Sequence, residues 1–214
     1  MKKILFRLLR KFGYSIVKVS KTTGISYDDI QDMEFWGLFE FCKPYTMTGV
    51  ERMYALYNSV NYILSNNIKG DFVECGVWRG GSSMLIAKML FDRGITNRKL
   101  YLYDTFEGMS EPTIYDISIN GDSADRLLKE NETAKETSVW CFADLTDVKQ
   151  NLELTRFPSS NIIFVKGKVE DTLPTTTPDN QIALLRLDTG WYDSTKYELI
   201  YLYPKLEIGC YYYR

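Results

Sequence analysis

The sequence predicts an open α/β fold in which helices precede a largely parallel sheet. The stretch GDFVECGVWRGGSS at 70–83 passes from a short apolar strand through a glycine-rich turn into an apolar helical run, the order in which such a sheet presents backbone N–H groups at a strand's carboxyl end. Two more apolar runs, KLYLYD at 99–104 and IALLRLD at 182–188, each close on an aspartate. The 214 residues, 45% of them hydrophobic and 25% charged, suffice for one domain with a sizeable core.

Composition removes several classes of function. A net charge of −2 gives no support to nucleic-acid binding. The chain has no histidine, which excludes a Ser-His-Asp triad, histidine metal sites and a histidine base, so any proton transfer falls to Asp, Glu, Lys, Tyr or Cys. The four cysteines, Cys42, Cys75, Cys141 and Cys210, form no C-x-x-C pair and fit a reduced, cytoplasmic setting. No apolar run is long enough to span a bilayer.

Residues 1–26 read as a basic amphipathic segment. Ile4, Leu5, Leu8 and Leu9 share one helical face among lysines and arginines. Arg7, Arg10 and Lys11 interrupt the apolar run, and no small-residue cleavage site follows, which argues against a signal peptide. Peripheral membrane contact and packing on the chain itself or on a partner, including a homodimer, both remain open.

Residues 27–68 read as a helical cap. Apolar residues recur at helical spacing over 27–41, and Pro44 then breaks the run. Thr48 and Glu51 have the spacing of a capping box. The helix they would open buries Met53, Leu56, Tyr57, Val60 and Ile63 and stops near Asn66 and Asn67. Residues 69–214 form the α/β domain. After the strand at 72–74, Ser82 or Ser83 is expected to cap a helix that ends at 92–94. The strand at 99–104 follows, and 111–142 reads as a long irregular segment of the kind that serves as a lid. A helix over 143–156, a strand over 161–167, a turn at VEDTLP, the strand at 182–188 and a helix capped by Asp193 or Ser194 complete the order. Pro204 marks the end of that last helix, and Gly209 opens a final strand.

The turn has the spacing E-x-G-x-x-x-G-G, which is neither the G-x-G-x-x-G of dinucleotide sites nor a P-loop. Its glycines are expected to let a ligand approach the backbone. Glu74, just before the turn, suits a cationic group such as the amino group of S-adenosylmethionine (SAM). Asp104 lies about thirty residues further on, as a βαβ unit requires, where an acid accepts ribose hydroxyls. Glu170 and Asp171 fall where an adenine edge would lie.

Taken together, GDFVECGVWRGGSS, YLYDTFEGM, FVKGKVEDTLP, LLRLDTGWYDST and LYPKLEIG, with KPYTMTGVERMYALYNSV before them, resemble the TylF, or macrocin O-methyltransferase, family over residues 30–210. The resemblance implies a Rossmann-like class I methyltransferase sheet with an N-terminal helical cap. It also implies SAM as cofactor, Mg²⁺ as helper and a sugar-containing small molecule as methyl acceptor. Carried over by residue, Glu74, Gly76, Gly80, Gly81 and Ser82 would hold the methionine end of SAM, and Asp104 the ribose. Tyr45, Thr46 and Met47 would close over the cofactor. Asp188 would be the metal ligand and the general base, because a sugar hydroxyl is a poor nucleophile until it loses its proton.

Two departures from the family pattern stand out. Where relatives commonly read LRLDxDxY, this chain reads LRLDTGWY, with Gly190 in place of the second acid. The Asp-Asp pair that completes the family's metal site would begin near Arg214, so the sheet is expected to be C-terminally incomplete, by truncation rather than by degeneration. The leading reading is a SAM-dependent sugar O-methyltransferase. The alternative is a catalytically inactive SAM-binding or interaction protein. A nucleotide-sugar or NAD-dependent oxidoreductase would share the sheet but calls for the tighter glycine motif.

Overall fold

The computed structural model describes residues 26–118, 120–132 and 140–213. The amphipathic reading of 1–26 therefore lies, but for Ser26, outside the described residues. The chain divides into two compact units, residues 1–32 and 33–214. In the first, a turn closes with Ile30 N donating to Tyr27 O at 2.9 Å.

The second unit opens with α1 (Met33–Cys42), a 3₁₀ turn (Lys43–Tyr45) and α2 (Val50–Ser65). Helix α1 starts later than the periodicity at 27–41 suggests. Phe35 anchors it in an aromatic cluster with Phe39, Tyr54 and Tyr57. Helix α2 buries Met53, Leu56, Tyr57, Val60 and Ile63, as its spacing predicts. The capping box does not form: Gly49 is the N-cap, and the Thr48 hydroxyl instead accepts from Arg186 Nη2 at 3.3 Å.

The sheet comprises β1 (Asp71–Cys75), β2 (Leu100–Asp104), β3 (Ile162–Lys166), β4 (Ile182–Leu187) and β5 (Leu206–Tyr213). All pairs are parallel, in the order β3-β2-β1-β4-β5. β1 and β4 are buried along their whole length, as strands covered on both faces must be. β5 begins earlier than Gly209. That glycine, at φ +81°, lies inside the strand, where the pairing with β4 slips between Ile182 and Leu184, as in a bulge.

Helix α3 (Gly81–Asp92) follows the glycine turn and is buried along most of its length. Its N-cap is Gly80 in the left-handed region, not a serine. Ser82 Oγ faces the Met53 sulfur at 3.7 Å, and Ser83 Oγ donates to Glu74. The segment expected to be irregular over 111–142 contains a short helix, α4 (Ala124–Glu130). Helix α5 (Leu145–Glu153) is capped by Asp144, whose side chain accepts from Thr146 N and Asp147 N. The turn at VEDTLP holds a single helical turn, α6 (Val169–Thr172). Helix α7 (Tyr192–Tyr201) has Trp191 at its N-cap, because Ser194 Oγ is drawn away to Glu170 Oε1 at 2.7 Å.

Candidate cofactor cleft

Strand order reverses between β1 and β4, the place where open α/β sheets bind ligands at their carboxyl ends. Backbone bonds carry the ladder to the strand tips: Gly76 N donates to Tyr103 O (2.9 Å), Asp188 N to Cys75 O (2.8 Å) and Gly167 N to Asp104 O (3.0 Å). The acidic positions at the tips of β1, β2 and β4 thereby surround one cleft. Of the site residues read from the sequence, Tyr45, Thr46, Met47, Glu74, Gly76, Gly81, Ser82, Asp104, Glu170 and Asp188 line it, and Gly80 and Asp171 do not.

Two of the glycines have a reason beyond the one expected. A Cβ at Gly76 would stand 2.6 Å from the Asp188 carbonyl oxygen, and one at Gly81 would stand 2.6 Å from that of Tyr45. They admit the protein's own backbone before any ligand. Gly76 lets the β4 tip close in, and Gly81 lets the 45–46 segment settle on the start of α3. Arg79 fastens that segment from the other side. Its guanidinium donates to both Asp147 oxygens (2.8 and 2.9 Å) and to Pro44 O (3.2 Å), and it lies over the Tyr45 ring at 5.3 Å. Arg79 holds the Asp147 carboxyl below its usual range.

Glu74 and Arg186 are register partners on β1 and β4, so their side chains share a face. Glu74 Oε1 accepts from Arg186 Nη1 at 2.5 Å, and Oε2 accepts from Ser83 Oγ. The two side chains are 1% and 3% exposed. Burial pushes the Glu74 carboxyl up to about 7, although Arg186 pulls the other way. The expectation that Glu74 receives a cofactor ammonium thus meets a carboxylate whose two oxygens already have partners.

Asp104 also has internal duties. Oδ2 accepts from Val77 N (2.6 Å) and Trp78 N (3.2 Å), and Oδ1 accepts from Phe106 N (2.8 Å). It braces the glycine turn, a duty beyond the ribose contact expected of it. Trp78, with φ +48°, lines the cleft, and its indole Nε1 is buried without a hydrogen-bond partner. Such a donor fits a site shaped for a ligand with acceptor atoms. A cleft with a glycine turn, a helix start and this free N–H fits SAM.

Asp188 sits between two guanidinium groups: Arg186 Nη2 donates to Oδ2 (2.7 Å) and Arg52 Nη2 to Oδ1 (3.0 Å). A metal site fits poorly here. Both oxygens of Asp188 are engaged by cations, and among the described residues no group of three His, Cys, Asp or Glu converges. At Gly190, where the family pattern has its second acid, the Met109 methyl occupies the space a Cβ would take, 2.6 Å away. Asp188 as a Mg²⁺ ligand therefore finds no support in the residues around it.

Sequence reasoning missed Arg52, Trp78, Arg79 and Arg186. The signal for Arg186 was present: a lone arginine in an otherwise apolar, doubly covered strand must have a buried partner.

A family model described as Macrocin-O-methyltransferase (TylF) matches residues 2–213. Demethyldecarbamoylnovobiocin O-methyltransferase of Streptomyces niveus is 32% identical over 169 residues, 79% of this chain and 61% of that protein. The 8-demethyl-8-(2,3-dimethoxy-alpha-L-rhamnosyl)-tetracenomycin-C 4'-O-methyltransferase of Streptomyces olivaceus is 34% identical over 165 residues, 77% of this chain and 59% of that protein. Among solved structures, the O-methyltransferase NovP aligns with a TM-score of 0.64 at 30% identity, covering 78% of this chain and 65% of that one. CalS11, a calicheamicin methyltransferase, aligns at 0.57 with 16% identity over 90% of this chain and 80% of its own, a likeness of fold. The chain spans about three-fifths of the length of the curated relatives it matches.

Proposed function

The chain belongs to the macrocin-O-methyltransferase (TylF) family, and from that premise we propose that it binds SAM in the cleft between β1 and β4 and methylates a sugar hydroxyl. The acceptor class is a glycosylated natural product or a surface glycan. The observation that carries this reading is the convergence of the glycine turn, Trp78 and the acidic tips of β1, β2 and β4 on one cleft at the sheet's reversal point.

In this reading Gly76, Gly81, Ser82 and the Trp78 N–H hold the methionine end, and Gly80 caps the helix that follows. Asp104 fixes the turn and faces the ribose, and Glu170 borders the adenine. Tyr45, Thr46 and Met47 close over the cofactor, with Arg79 as their fastening. Glu74 holds Arg186, which in turn orients Asp188. SAM supplies a methyl group activated by attachment to a sulfonium. Asp188 would take the proton of the acceptor hydroxyl as its oxygen accepts that methyl group.

Arg52 must release Asp188 first. With side-chain exposures of 52% and 34%, that pair belongs to a class worth only about 0–1 kcal/mol, whereas the buried Arg186 contact stays in place. No step is routed through Mg²⁺, since the residues do not fit it. The cytoplasmic setting and a membrane or homodimer contact through 1–26 remain part of the proposal. Among the described residues no helix is long and apolar enough to cross a membrane.

The test is transfer of a radiolabelled methyl group from SAM to an aryl rhamnoside. Transfer that falls about a hundredfold in Asp188→Asn supports a base at this position. A second reading, SAM binding without turnover, draws on the closure of Asp188 between two arginines. SAM binding with no transfer to any glycoside offered would favour it.

A further inference from the structure

An ammonium at the glycine turn needs an acceptor with lone pairs to spare, and the acids at the strand tips are committed. Glu74, Asp104 and Asp188 each have both carboxylate oxygens bonded within the protein. Thr189, the residue after Asp188, also lines the cleft. Its backbone lies against the turn: a Cβ at Gly76 would stand 2.9 Å from Thr189 N.

The Thr189 side chain is anchored from behind. Its Oγ1 donates to Glu198 Oε1 at 2.9 Å. Glu198 is 0% exposed, on the buried side of α7, where a carboxylate persists only if it is bonded. Its other neighbour is Cys75, the β1 residue before Gly76. Burial first, and then the Glu198 carboxylate, push the Cys75 thiol well above its usual range, so the thiol keeps its proton and serves Glu198 as a donor. A hydroxyl carries a single proton. With that proton given to Glu198, Thr189 Oγ1 can meet a ligand only as an acceptor. The carboxylate behind it polarises the hydroxyl and strengthens it in that role.

Resting on the SAM-binding reading, we propose that the Thr189 hydroxyl, oriented by the buried Glu198, receives the ammonium of the cofactor's methionine end. Thr189 touches the ligand, and Glu198 is a positioning residue that acts through it. A buried negative charge then stands behind the ammonium with a hydroxyl between them. The cofactor is selected for its amino group without a direct ion pair, and Glu74 is left to hold Arg186.

Calorimetric titration with S-adenosylhomocysteine and with its desamino analogue, which lacks only the α-amino group, tests the proposal. The parent is expected to bind S-adenosylhomocysteine about tenfold more tightly than the analogue. In Thr189→Val that preference is expected to shrink to about twofold or less, through weaker binding of S-adenosylhomocysteine and unchanged binding of the analogue. Thr189→Ser, which restores the hydroxyl, is expected to restore the preference. Glu198→Gln is expected to reduce it to about threefold, since the hydroxyl keeps a partner but loses the charge behind it. A purely structural role would weaken both ligands alike in Thr189→Val, and that result would overturn the proposal. So would a parent indifferent to the amino group, or a preference that survives in Thr189→Val or in Glu198→Gln. Should Glu198→Gln fail to unfold cooperatively, the valine and serine variants at Thr189 decide. A folded parent that binds neither ligand would instead strike the SAM-binding reading on which the proposal rests.

Discussion

Glu74 was visible in the sequence as an acid before a glycine turn, but its partner was not, because Arg186 is 112 positions away and only strand register brings the two together. Removing one member of a buried ion pair commonly costs about 3–5 kcal/mol. Arg186→Met is therefore expected to lower stability by about 3 kcal/mol at pH 8. The sign of the pH dependence follows from the raised carboxyl. Below its ordinary value of 4.5 Glu74 is protonated whether folded or not; between there and about 7 the unfolded chain releases a proton that the folded chain keeps. Stability from this group thus falls as pH rises through that window. In Arg186→Met the loss is expected to be smaller at pH 5.5 than at pH 8, by urea denaturation at both values. An equal loss at both would place the Glu74 proton elsewhere. Asp104 teaches a related lesson. Its position at the β2 tip was legible, but its bonds to Val77 and Trp78 were not, since they depend on where the turn folds back. Asp104→Asn is expected to lower both the unfolding midpoint and SAM affinity, whereas a purely ligand-facing carboxylate would affect affinity alone.

The strands, the glycine turn and α2 could be read from apolar patterning because burial alone dictates it. The caps could not. Thr48, Ser82 and Ser83 all lie at plausible cap positions, yet Thr48 and Ser83 turn toward the buried charges Arg186 and Glu74, whose unmet bonds would cost more than an unfilled cap. Helix α4 escaped detection because seven residues carry too little periodicity. Gly81 links two elements, the 45–46 segment and α3. Gly81→Ala meets no φ penalty but drives a methyl into the Tyr45 carbonyl, and is expected to cost about 1–3 kcal/mol and to weaken SAM binding. Gly94→Ala makes the comparison. That residue has φ +67° and open space around it, so the substitution should cost about 1–2 kcal/mol of backbone strain with SAM affinity intact. Thermal unfolding and SAM titration of both variants separate the two cases. Equal affinities would show that the 45–46 segment does not close over the cofactor.

At the scale of the molecule, the parallel order β3-β2-β1-β4-β5 converts separated sequence motifs into one cleft. The family pattern named candidate residues, most of which the fold brings to that cleft; the pairings among them required the fold. Within the described residues the cofactor end of the site is assembled without a metal centre, so SAM recognition should not depend on Mg²⁺. Calorimetric titration of S-adenosylhomocysteine into the chain and into Trp78→Phe, with and without Mg²⁺, tests this most directly. One-to-one binding by the parent is expected, unaffected by Mg²⁺ and weakened about fivefold when the indole N–H is removed. A sample that unfolds cooperatively yet takes up no ligand would contradict it.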